Sequence, residues 1–62
     1  MRYNELHKLL KKYGCYPTGK QTAGHPEWYS PISGLYFTTS NHLSDEVKKG
    51  TLKAILKESG VK

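Results

Sequence analysis

Only five carboxylates and one cysteine occur in this 62-residue sequence, and each scarcity closes off a class of chemistry. A lone thiol, Cys15, forms no intramolecular disulfide and no cysteine-rich zinc site. Glu27 is the only acid between residues 6 and 44, so a paired-carboxylate mechanism has nothing to build on. Neither a glycine-rich phosphate loop nor Ser-His-Asp spacing is present. No apolar run approaches the roughly 18 residues of a membrane span. The opening Met1-Arg2-Tyr3-Asn4-Glu5 lacks the apolar core of a signal peptide, so a cytoplasmic location is expected.

What is plentiful is positive charge and aromatic surface. Ten Lys+Arg against five Asp+Glu give +5, a balance that suits a polyanion or an acidic protein as partner. Five Tyr, one Trp and one Phe make the chain too aromatic for a disordered one. The expectation is one domain, residues 1–62. A chain this short buries only about 60% of its unfolded surface, with stability of roughly 3–5 kcal/mol.

Leu6, Leu9, Leu10 and Tyr13 recur at helical spacing, which predicts a helix over 3–13 with Asn4 as N-cap and Gly14 as its stop. Leu52, Ile55 and Leu56 predict a second helix ending at Gly60, with a start between 45 and 51 and Val61 folding back onto it. Between them lie three short aromatic and threonine-rich runs, 15–22, 25–30 and 35–39, the last two joined by the turn Pro31-Ile32-Ser33-Gly34. Pro17 and Gly19 make the first strand irregular or an edge. Leu35, Phe37 and Thr39 are expected to share one face. The order α-β-β-β-α is best met by an α+β two-layer sandwich, both helices covering one face of a three-stranded antiparallel sheet.

Three histidines carry what chemistry there is. His7 sits mid-helix and reads as a partly exposed filler. His25 opens a strand and His42 follows one, positions that hold a ring firmly yet near solvent. Cys15, His25 and His42 show none of the usual zinc spacings. By strand alternation Trp28 and Tyr29 point to opposite faces, as do Tyr36 and Phe37, and the outward half is available to stack on bases. Lysines near the start of the second helix suit phosphate.

The segment Gly50-Thr51-Leu52-Lys53-Ala54-Ile55-Leu56, closed by Gly60, resembles the C-terminal signature of the HicA toxin family. Glu5-Leu6 with Leu9-Leu10 before Gly14, His25 ahead of Trp28-Tyr29, and His42 before the second helix are similar to it as well. The resemblance implies a fold like the double-stranded-RNA-binding domain and a toxin of a two-gene toxin–antitoxin module. It further implies a ribonuclease acting on mRNA, neutralised by a HicB antitoxin that covers the active site. Ala23-Gly24-His25 aligns with the family's Gly-Ser-His, which gives His25 the catalytic role. Two positions depart from that pattern: Gly24 replaces serine, and Pro26 follows the histidine. Pro26 cannot donate a ladder hydrogen bond, so a shifted or bulged strand start and weaker activity are expected.

RNA supplies its own nucleophile, the 2′-hydroxyl, and a histidine suits the proton transfers without metal or cofactor. On charge, exposure and position, Lys20, Lys48 and Lys49 are the expected phosphate contacts and Trp28 or Tyr29 the stacking surface. His42 is the expected second proton-transfer group or RNA contact. Two competing readings are a non-catalytic RNA-binding module of the same fold and a structural subunit that needs another chain to fold.

Overall fold

The computed structural model describes residues 1–61, apart from the side chain of Thr22; Lys62, the last residue of the expected domain, lies outside the described residues. The elements are α1 (Tyr3–Lys12), β1 (Tyr16–Thr22), β2 (His25–Tyr29), β3 (Tyr36–Thr38) and α2 (Lys49–Ser59). The strands form an antiparallel meander in the order β1-β2-β3. This is the expected α-β-β-β-α arrangement, consistent with a double-stranded-RNA-binding-domain-like fold.

Both helices bury their apolar stripes on the same side of the sheet. Leu6 and Leu10 of α1 and Ile55 of α2 join Trp28, Phe37, Cys15, Val47 and Val61 in one cluster, with Leu9, Leu52 and Leu56 packed against it. Burial alternates along β2, so Pro26 and Trp28 face the helices while His25, Glu27 and Tyr29 face away. Among the described residues, no helix covers the other sheet face.

The glycine stops hold. Gly14 and Gly60 take positive φ, 92° and 73°, and Val61 returns to the core. Helix α1 does not begin as expected, however. Its N-cap is Arg2, and Asn4 lies inside the first turn. The free N–H groups of Tyr3 and Asn4 are taken by the carbonyls of Asp45 and Leu43, at 3.1 and 3.0 Å, and Glu5 reaches back to the Arg2 N–H. A long-range backbone contact thus replaces the side-chain cap. The same pairing keeps Ser44–Glu46 out of α2, since Arg2 bridges Glu46 and the Val47 N–H donates to the Met1 carbonyl.

Leu35 also departs from expectation. Its carbonyl accepts the Ser30 N–H to close the turn, β3 starts one residue later, and the Leu35 side chain is exposed. The irregularity expected in β1 is present: the register with β2 shifts between Pro17 and Gln21, around Gly19 at φ 92°. Leu10→Ala is expected to cost about 2–5 kcal/mol, comparable with the whole stability of so small a domain. Thermal denaturation should show that variant largely unfolded, while Leu35→Ala melts close to the parent.

Candidate active site

The β1–β2 turn is Ala23-Gly24, both with positive φ (51° and 79°), the backbone of a two-residue type I′ hairpin. The Asn41 side-chain amide donates to the Gly24 carbonyl at 3.1 Å and to Gln21 Oε1 at 3.0 Å, which ties the turn to the segment after β3. His25 follows immediately, and its backbone is held between a tight turn and a paired strand.

Pro26 then does something its sequence position alone does not reveal. Pairing of Glu27 with Thr38 sets Pro26 opposite Thr39, and the Thr39 N–H donates to the Pro26 carbonyl at 3.1 Å. In such an antiparallel pair the two residues normally exchange both bonds. Proline has no N–H, so the Thr39 carbonyl lacks its ladder donor. His25 Nδ1 lies 3.1 Å from that oxygen and takes the vacant place. A carbonyl oxygen only accepts, so the Nδ1 nitrogen carries the proton and, in the neutral ring, Nε2 keeps its lone pair. Of the shifted or bulged strand start expected from Pro26, the shift is not found: β2 begins at His25, paired with Thr22. The register with β1 does change just beyond Pro26, between the Gln21/Pro26 and Pro17/Trp28 pairs.

Thr39 also holds the other face of the fold. Its hydroxyl lies 2.8 Å from His7 Nε2, and the His7 ring packs on Trp28 with centroids 4.8 Å apart. Burial, with the nearby Lys11 charge adding to it, lowers the His7 pKa below its ordinary 6.5, so this ring is neutral at pH 7.

Lys20 and Tyr29 meet in an open groove of about 530 Å³ on the outer sheet face, lined also by Tyr16, Thr18, Glu27 and Tyr36. Trp28 is not part of that surface. It is 2% exposed, packed between His7 and Phe37, so no ring face is free for a base and the stacking role expected of it is withdrawn. His42 is exposed on the connection to α2, and its ring makes no hydrogen bond with a described residue. Lys48 and Lys49 are exposed at the start of α2, whose first turn holds no acid, but they line neither this groove nor the smaller one beside His7.

The family model described as "HicA toxin of bacterial toxin-antitoxin" matches residues 3–61. The chain belongs to the HicA toxin family. It is thus a toxin of a toxin–antitoxin system, with an antitoxin as partner. Comparison with curated proteins and with solved structures gives no significant match. Among the described residues of this HicA toxin, no helix is long and apolar enough to cross a membrane.

Thr39 and Asn41 escaped the sequence reading because their roles depend on strand register. Tyr16 and Tyr36 were within reach of alternation once the inner face was known. Pro26→Ala returns an N–H to the ladder, which competes with the imidazole for the Thr39 carbonyl. Nitrogen NMR of the neutral ring is expected to report Nδ1–H in the parent and a larger Nε2–H population in the variant. His7 gives a separate pH signature. Its folded pKa is depressed, so the unfolded chain binds the proton first and stability falls as pH drops below about 6.5. Melting temperatures of His7→Gln should lose part of that acid dependence.

Proposed function

We propose that this toxin is an endoribonuclease that cleaves mRNA in the cytoplasm by histidine-dependent proton transfer, without metal, and that a HicB-like antitoxin silences it by covering His25. The observation that carries the reading is the Nδ1–Thr39 hydrogen bond, which holds an exposed imidazole in one tautomer with Nε2 available. Nε2 takes the 2′-hydroxyl proton, and the 2′-oxygen attacks the adjacent phosphorus. The bond to the 5′-oxygen breaks, and that oxygen leaves with a proton. The products are a cyclic phosphate and a 5′-hydroxyl end. A positioned acid or base of this kind contributes roughly 10²–10⁴-fold.

The remaining parts follow from charge. Lys20 lies in the outer groove, and Lys48 and Lys49 flank an acid-free helix start, so these three are assigned to phosphate oxygens. His42 is assigned as the second proton-transfer group, returning a proton to the leaving oxygen, and Tyr29 as a base contact. The net charge of +5 favours the RNA over an acidic small molecule.

Incubation of a long single-stranded RNA in EDTA with the parent and with His25→Ala tests the assignment. The parent should cut and leave 5′-hydroxyl and cyclic-phosphate ends, and the variant should lose roughly 10²-fold or more. A variant that cuts like the parent removes His25 from catalysis. A parent that binds RNA in a salt-dependent way and never cuts it makes the protein a binding module instead.

A further inference from the structure

The outer sheet face holds a feature that proton transfer at His25 does not use. Tyr16, Tyr29 and Tyr36 stand in one register across all three strands, Tyr16 opposite Tyr29 and Tyr29 opposite Tyr36. Their ring centroids lie 5.7 and 4.9 Å apart, with planes tilted by 55° and 53°. Tyr16 is 52% and Tyr36 61% exposed, an unusual outlay of aromatic surface for a chain with so little apolar residue to bury. The rings border the groove that contains Lys20, whose one carboxylate, Glu27, already accepts the Thr18 hydroxyl at 2.9 Å.

We infer that this tyrosine row is a stacking platform for unpaired bases, which makes the substrate single-stranded RNA held a short distance from the cut. The inference rests on the ribonuclease reading above and adds the substrate's form and footing. A tilted row of rings, the outer two exposed and Tyr29 half-buried between them, beside a lysine matches the way single strands are held, by base stacking and backbone charge together. A duplex hides its base faces and offers phosphates, 2′-hydroxyls and base edges, none of which gives a tyrosine ring a face to stack on. The fold alone suggests a duplex partner; the chemistry of this face argues for the opposite.

Placement joins the platform to the catalytic group. His25, Glu27 and Tyr29 share the outward side of β2, so the platform and His25 lie along one strand on one face. Four residues of strand separate Tyr29 from His25, about 13 Å. At the stacked rise of about 3.4 Å per nucleotide that span holds at most about four nucleotides, fewer when the strand is splayed. Bases within that distance of the scissile phosphate are the ones the rings engage.

The test uses the full chain. His25→Ala serves as an uncut trap for a fluorescent single-stranded RNA oligonucleotide and for a hairpin duplex of the same composition. Adding Tyr16→Ala or Tyr36→Ala should weaken single-strand binding about tenfold each, while Tyr16→Phe and the off-face Tyr13→Ala keep it. In the His25-intact protein the same alanine changes should raise KM with kcat nearly unchanged. Circular dichroism checks that the exposed-site variants fold. Single-strand affinity untouched by both alanine variants, or equal affinity for the duplex, overturns the platform. Weakened antitoxin binding with unchanged RNA affinity also overturns it and gives the face to the protein partner. Cleavage that survives His25→Ala would sink the catalytic reading and leave these binding results standing.

Discussion

A hydrogen bond from His25 Nδ1 to the Thr39 carbonyl fixes the side chain on which the proposed chemistry depends, and the missing N–H of Pro26 leaves that carbonyl open to it. A carbonyl already paired in the ladder is a poorer acceptor for a side chain than one left without its donor. Removing one N–H at the end of the β2–β3 pairing frees one carbonyl, and a buried carbonyl without a donor costs free energy until something fills it. The imidazole beside it is the nearest donor. The side chain is thereby oriented, its tautomer chosen and its second nitrogen left for chemistry, without any carboxylate partner in a chain that has few to spend.

Thr39 extends that arrangement through the sheet. Its carbonyl holds His25, and its hydroxyl meets His7, which packs on Trp28 at the centre of the core. The His25 ring is therefore referenced to the hydrophobic core through one residue rather than to a loose loop. The sheet divides labour between its faces. On the inner face Trp28 and Phe37 bury Leu6, Leu10 and Ile55, and on the outer face the tyrosines and Lys20 line an open groove. In a domain with so small a core, buried aromatic residues on one side mark the face that folds the chain, and the exposed ones mark the face on which the proposal rests.

Much of this was legible in the residues. The leucine stripes and the two glycine stops set the helices, and the alternation of Trp28 with Tyr29 and of Tyr36 with Phe37 placed one aromatic of each pair on each face. Alternation does not say which face is inside, so it offers Trp28 and Tyr29 equally to RNA, and burial puts Trp28 in the core. The start of α1 was misread because its donors are satisfied by Leu43 and Asp45, some forty residues away, which no local capping pattern encodes. The use made of Pro26 is out of local reach for the same reason. Its missing N–H was plain from the sequence, but the carbonyl that profits from it belongs to another strand, and only register brings the two together.

The most direct measurement follows the His25 ring nitrogens by NMR and the initial rate of RNA cleavage through one pH series. If the anchored imidazole is the proton-transfer group, the rate turns over where the His25 nitrogens titrate, and it does so again in a His42→Ala background on that same limb. A rate that stays level while His25 titrates, or that follows another group instead, contradicts the account.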